Sequence, residues 1–415
     1  MIRVRTMVVW ALVAAVLIVP ALVPGAWAAE DEIRIGSVWG LTGVAAGTSQ
    51  EGRRGMELAQ DLINKKGVLG RKIRVIFEDD KADPAVGVSA TEKLITQDKV
   101  HAFVGGYGST VCNAMLGAFQ KYMPRPLAVL TGCGATTIEE RFGKEPGYFF
   151  VHPWEYYYQT TVRDFLASLS PRPQTVFIAH EDRLYGTSHA RMAEEYLKEA
   201  GFKVVAKESF KSGLPDLTAL LTRAKSMNPD VFYWIAYGAD AVLVTKQGKE
   251  LNFAPRMYAS TVALGTQEYR DAVGTDNAEA FVGVTVWEPI STFPASKAWP
   301  ELLPSTRDWV REYTARYKRE PHYFAVMGYV ALVATAKAIE SAGSLDREKV
   351  AAALERLDTM SPMGPLRFTP SKFAKNHSFK QMFIFQWQKG EKVLVFPKDV
   401  ATGTLRHPFP AWTPR

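Results

Sequence analysis

Two stretches decide the fold class: Ala102-Phe-Val-Gly-Gly-Tyr-Gly-Ser-Thr110 and Leu127-Ala-Val-Leu-Thr-Gly-Cys-Gly-Ala-Thr-Thr137. Each opens on a short apolar run of strand character, Ala102 to Val104 and Leu127 to Leu130. Each then passes through a glycine-rich turn into a segment led by hydroxyl residues. Ser109 or Thr110 is expected to cap the helix that follows the first turn. A strand, a glycine turn and a capped helix, repeated twice in succession, are the units of a parallel α/β sheet.

The same rhythm extends outward. Upstream, Ile33 to Val38 reads as a strand. An amphipathic helix from about Gln50 to Asn64 follows, with Met56, Ala59, Leu62 and Ile63 on one face and Gly67 as its stop. Ile73 to Glu78 is a second strand, and Pro84 to Asp98 a helix with Asp83 as N-cap and Pro84 in its first turn. Downstream the pattern restarts with the strand Val176 to His180 and a helix near Gly186 to Ala200. The strand Lys203 to Ser209, a helix near Asp216 to Ser226 and the strand Val231 to Ala236 continue it. The two runs flank the aromatic stretch His152-Pro-Trp-Glu-Tyr-Tyr-Tyr158, so two doubly wound lobes with a crossing there are expected. A long apolar helix, Tyr323 to Ala342, precedes strands near Gln381 to Trp387 and Lys392 to Phe396.

Composition narrows the function. The chain has 415 residues, of which 47% are apolar and 22% charged, which is globular material for two or three domains. Its net charge of +7 is mixed along the sequence without a basic run, so nucleic acid is not an expected partner. Two cysteines, Cys112 and Cys133, exclude a multi-cysteine metal site, and the seven histidines form no close ligand pair. No metal or cofactor is expected. The two cysteines begin successive helical turns, and a disulfide and two buried thiols are both open.

Arg3 and Arg5 precede an apolar run from Met7 to about Val23, and Ala26-Trp27-Ala28 supplies small residues at a cleavage site. Residues 1–28 therefore read as a secretory signal peptide, and the mature protein as exported and periplasmic. No later segment is expected to cross a bilayer.

In open α/β sheets the chemistry sits past the carboxyl ends of strands. Glycines in the two turns let a ligand approach the backbone, and hydroxyls sit beside free helical N–H groups. That combination suits a carboxylate held without a buried countercharge. A dinucleotide is disfavoured: Gly106-Tyr107-Gly108 begins a G-x-G-x-x-G pattern, but Val111 takes the third glycine's place and no acid follows at ribose distance. No nucleophile elbow, zinc-protease motif or phosphate-loop lysine is present. His180-Glu181-Asp182 is expected as polar residues at a cleft lip.

These residues resemble the periplasmic solute-binding proteins of the type I fold, in the branched-chain amino acid (leucine/isoleucine/valine-binding) family of ABC importers. The resemblance spans the mature chain. It rests on Ile33 to Gly43, Gly55 to Gly67, Glu78 to Pro84, Val104 to Ser109, Gly134 to Thr136, Asp182 to Gly186, Ala331 to Gly343 and the ending Ala401 to Trp412. It implies two doubly wound parallel-sheet lobes joined by a three-stranded hinge, with ligand held between them. The expected division is 29–151 with 285–360 in the first lobe, 152–284 with 361–397 in the second, and 398–415 as a tail.

The resemblance further implies that Ser109, Gly134 and Thr136 hold the ligand's α-carboxylate and α-amine. Tyr107, Thr110 and Ala135 complete that contact set, and Tyr185 and Tyr237 close over the ligand from the second lobe. Two departures stand out. The family's amine-binding acid would fall near Ser260 to Val262, where none occurs; Glu155, Glu181 or Asp182 could substitute from other loops. Tyr156 replaces an aspartate within Trp154 to Tyr158, where Trp154 and Tyr156 offer aromatic area for a ring or apolar body. The expected function is capture of a small carboxylate, an amino acid or an aromatic or bulky organic acid, by a monomer that delivers it to an ABC permease. Amide or urea recognition, a sensor's ligand module, and an exported α/β enzyme acting on small acids are the alternatives.

Overall fold

The protein is described by a computed structural model covering residues 32–410 and 412. The expected signal peptide lies outside the described residues.

The first sheet holds β1 (Glu32–Trp39), β2 (Lys72–Asp79), β3 (Ala102–Gly105), β4 (Ala128–Leu130) and β5 (Tyr148–Phe150). Their order is β2-β1-β3-β4-β5, all parallel. The second sheet begins with β6 (Thr175–Glu181), β7 (Lys203–Phe210), β8 (Val231–Ile235), β9 (Met257–Ser260) and β10 (Val282–Thr285). A small hairpin, β11 (Asp358–Ser361) and β12 (Gly364–Arg367), stands apart, and β13 (Phe383–Gln388) and β14 (Glu391–Phe396) complete the second sheet. Its order is β14-β13-β10-β9-β8-β6-β7.

β6 to β10 pair in parallel, whereas β13 lies antiparallel to β10 and β14 antiparallel to β13. The second sheet is thus mixed rather than wholly parallel. The direction of β14 has a local cause: β13 and β14 are joined by Lys389 and Gly390, both at positive φ, the geometry of a two-residue hairpin turn that reverses the chain without a crossover helix.

The chain passes between the sheets after β5, after β10 and before β13. The last passage lies later than expected. Residues 369–378 stay with the first sheet: the Phe150 N–H donates to the Asn376 carbonyl at 3.0 Å, and the Ser378 N–H donates to that of Phe150 at 2.8 Å. Backbone groups at the exposed edge of β5 need partners, and this segment supplies them. The tail packs on the second sheet, with the Arg406 N–H donating to Gln386 Oε1 at 2.8 Å and the Trp412 indole to the Phe253 carbonyl at 2.7 Å.

The helix Tyr323–Ala342 has the length and apolarity to cross a bilayer, contrary to the sequence expectation. Here it is a core element, buried along most of its length against the helix Ala46–Lys66. Glycines set that contact: a Cβ on Gly55 would fall 1.8 Å from the Ala325 carbonyl oxygen. Asp83 caps the helix Pro84–Thr96 as anticipated, accepting from the N–H groups of Ala85 and Val86 at 2.8 and 3.0 Å. The helix after the first glycine turn differs. Its N-cap is Gly108 at φ 90°, so Ser109 and Thr110 lie in the first helical turn with their hydroxyls released for other partners.

Candidate functional site

The two glycine turns lie side by side because β3 and β4 are neighbours. The Thr131 hydroxyl donates to the Gly106 carbonyl at 2.8 Å, and the Gly108 N–H donates to that of Gly132 at 3.2 Å. Ser109 Oγ accepts from the Ala135 N–H at 3.2 Å, tying one helix start to the other. Cys112 and Cys133 are joined by a disulfide across the same junction. Two helix N-termini therefore converge on one patch, with their free N–H groups and positive dipole ends together.

Facing that patch is a small aromatic chamber. Tyr107, Gly108, Gly132, Gly134 and His152 line it on one side, Tyr185, Tyr237 and Val262 on the other, and Phe324 forms its back. Tyr185 and Tyr237 stack with centroids 5.4 Å apart, and Tyr237 meets Tyr107 edge-on at 5.7 Å. Tyr107 in turn stands edge-on to Phe324 at 4.8 Å. The Tyr185 hydroxyl donates to Thr261 Oγ1 at 2.8 Å, which fixes its ring in the second lobe. Burial raises the phenol pKa of Tyr107, Tyr185 and Tyr237, so all three are neutral near pH 7.

The lobes are closed on one another. The Leu184 N–H donates to Thr110 Oγ1 at 3.3 Å, and Arg183 Nη1 donates to the Ala82 carbonyl at 2.9 Å. Between the rings remains a cavity of about 10 Å³, space for roughly one water.

The remaining candidates divide. Trp154 and Tyr156 lie away from the chamber: the Trp154 indole donates to Ser371 Oγ at 3.2 Å, and the Tyr156 hydroxyl donates to Glu139 Oε1 at 3.2 Å. Both rings hold the segment 371–374 to the first lobe. Within that aromatic stretch it is His152 that lines the chamber, with Tyr158 behind it. Thr136 begins its helix as expected, but its buried hydroxyl faces Glu155 and makes no hydrogen bond.

The three acids have distinct settings. Glu181 accepts from the N–H groups of Gly186 at 2.6 Å and Arg183 at 2.8 Å, capping the helix Leu184–Glu199 from the end of β6, and burial pushes its pKa up to about 7. Asp182 accepts from the exposed Ser212 N–H at 3.2 Å. Glu155 is fully buried, and burial raises its pKa against the opposing hydroxyls of Ser188 and Thr136, which lie near it without closing a hydrogen bond. Ser260 ends β9 with a buried hydroxyl lacking a partner, and Val262 presents only an apolar wall. Among the described residues no cluster of histidine, cysteine and acids could hold a metal ion.

Residues 32–392 match the sequence profile of the family described as periplasmic binding protein. The chain belongs to that family. Its members are solute-binding components of transport systems rather than enzymes. This binding protein is 28% identical over 403 residues, 94% of its length and 98% of the relative's, to Leu/Ile/Val-binding protein homolog 7 of Brucella melitensis. Its fold matches the branched-chain amino acid transporter substrate-binding protein of Streptococcus pneumoniae in complex with isoleucine, with TM-score 0.76 and 19% identity, covering 91% of this chain and 100% of that one. It matches equally a solute-binding protein of an R. palustris ABC transporter in complex with benzoate, with TM-score 0.76 and 19% identity over 92% and 97% of the two chains.

Sequence reasoning missed His152 and Phe324 as chamber residues of the binding protein. His152 carried a signal, since it follows the end of β5 as Tyr107 and Gly132 follow β3 and β4. Phe324 carried none, because it comes from a helix some 170 residues further on.

Proposed function

We propose that this protein captures a small carboxylate with an aromatic or other bulky apolar body, and delivers it to the membrane subunits of an ABC importer. One observation carries the reading: the chamber wall contains four aromatic rings and a histidine but no acidic side chain. An ammonium group desolvated there would be unpaired, at a cost of several kcal/mol. A carboxylate meets two helix N-termini, Ser109 and the turn Gly134–Thr136, while Tyr107, Tyr185, Tyr237 and Phe324 supply stacking area. The benzoate complex of the R. palustris protein supports this reading; the isoleucine complex of the S. pneumoniae protein supports the competing one.

The closed chamber is far smaller than such an acid, so capture requires the lobes to part, releasing the Thr110–Leu184 and Arg183–Ala82 contacts, and to close again around the ligand. The closed form would then present both lobes to the permease, with the ligand stabilising that form. The protein acts as an exported monomer, its leader cut after Ala28, with lobes meeting near 151, 285 and 380.

Titration calorimetry with benzoate, leucine and leucine's α-keto analogue tests the reading. The keto acid and benzoate are expected to bind more tightly than leucine. Leucine binding tenfold more tightly than its keto acid would overturn it and direct attention to Glu155.

A further inference from the structure

His152 is 4% exposed and lines the chamber, yet its Nδ1 has no hydrogen-bond partner. The ring is held tightly. It stacks on Phe324 at 5.6 Å and 15°, and on Tyr158 at 5.8 Å and 25°. Its backbone carbonyl accepts from His377 Nε2 at 3.1 Å. Nδ1 sits over the second glycine turn: a Cβ on Gly134 would lie 3.1 Å from it.

Which ring nitrogen carries the proton follows from the neighbours. Nε2 lies 3.0 Å from the Tyr158 hydroxyl. A phenol is the stronger acid and imidazole nitrogen the stronger base, so the tyrosine O–H donates and Nε2 accepts. The Tyr323 hydroxyl lies near that of Tyr158 without closing a hydrogen bond, so it does not take the Tyr158 proton from the histidine. The Pro153 carbonyl lies on the Nδ1 side and favours a proton there, without hydrogen-bond geometry. Burial pushes the His152 pKa down to about 4, so the ring is neutral with a single N–H.

We propose that His152 is a ligand-contacting residue whose Nδ1–H donates to an acceptor oxygen of the bound acid above Gly134, with Tyr158 as the positioning residue that fixes the tautomer. This rests on the reading of the cleft as a carboxylate site and adds a side-chain donor to the backbone N–H groups of the two glycine turns. A neutral donor in a fixed orientation discriminates: it favours a ligand that presents a carboxylate or carbonyl oxygen at that point and disfavours one that presents an ammonium group, which has no lone pair to accept the bond.

Two measurements decide it. Long-range 1H–15N spectra of histidine-labelled protein read the tautomer without ligand: Nδ1–H is expected for His152, and a mixture of tautomers in Tyr158→Phe. An Nε2–H tautomer in the wild type overturns the proposal. Calorimetry with benzoate and with leucine's keto acid should show a loss of about 10- to 100-fold in His152→Phe, which keeps the stacking, and partial recovery in His152→Gln, which restores an N–H. Equal affinity in a folded His152→Phe protein also overturns it. If neither acid binds the wild type, the carboxylate reading of the cleft fails instead, and the tautomer spectrum decides the donor assignment by itself.

Discussion

Cys112 and Cys133 are bonded to one another with Cα atoms 5.6 Å apart, 21 residues apart in sequence, and they join the first turns of the two βα units that converge on the cleft. The bridge closes the loop that carries β4 and ends within the second glycine turn, so the spacing of the two helix starts no longer depends on backbone hydrogen bonds alone.

Reduction of this disulfide, or the double change Cys112→Ser with Cys133→Ser, should therefore lower stability by about 3 kcal/mol on a chain-entropy basis for a loop of this length. Chemical denaturation with and without reductant measures it. Unchanged unfolding midpoints in reduced protein would show that the cross-link adds nothing to the native packing of the turns.

The Thr136 hydroxyl has no hydrogen-bond partner in the fold, so Thr136→Ala should cost only the buried methyl it removes, about 1 kcal/mol. If its hydroxyl turns to the ligand on closure, affinity for the captured acid falls by about 1.5–3 kcal/mol, the usual loss for a hydrogen bond to a charged group. Calorimetry that finds wild-type affinity removes Thr136 from the site.

Gly55 and Gly47 lie in one helix but in opposite circumstances. A Cβ at Gly55 meets the backbone of Ala325 in the facing helix, whereas one at Gly47 meets nothing within 4 Å. Gly55→Ala should destabilise by about 3 kcal/mol or more, because a backbone atom cannot step aside as a side chain can. Gly47→Ala should be neutral or stabilising by up to about 1 kcal/mol. Thermal unfolding of the two variants should separate them clearly.

Glu181 has a pKa of about 7 in the folded protein, raised by burial from the ordinary 4.5. The folded state thus binds this proton more tightly than the unfolded state. Its contribution to stability is present in full below pH 4.5 and lost as the pH rises to about 7. Relative to Glu181→Gln, wild type should lose up to about 3 kcal/mol across that window, apart from a constant offset for the one helix-capping bond the amide cannot make. Denaturation of both proteins at several pH values checks the slope; parallel profiles would mean that Glu181 is ionised in the fold.

The element pattern was legible because it is local. The helix Tyr323–Ala342 matches its expected span, and β3 and β8 fall within a residue of theirs. β5, β9 and β10 escaped notice because strands of three or four residues leave little periodicity to read, and these three, unlike β3 and β4, run into no glycine-rich turn that marks their ends. The two glycine turns were readable as a candidate anion patch for the same reason: the glycines, the hydroxyls and the helix starts they lead into are neighbours in sequence.

Sequence by itself thus determined the α/β class, the two runs of βα units and the turns that carry free helix N–H groups, all set by backbone conformation over a few residues. Tertiary structure decided which side chains meet. Trp154 and Tyr156 sit in the same short stretch as His152, yet Trp154 turns to Ser371, 217 residues on, and Tyr156 turns back to Glu139, 17 residues earlier, while His152 turns to the cleft. Glu181, adjacent to a cleft tyrosine's helix, is consumed in capping that helix. Such choices depend on packing between distant segments and on which polar groups find partners once water is excluded, and neither is encoded in the spacing of residues along one stretch.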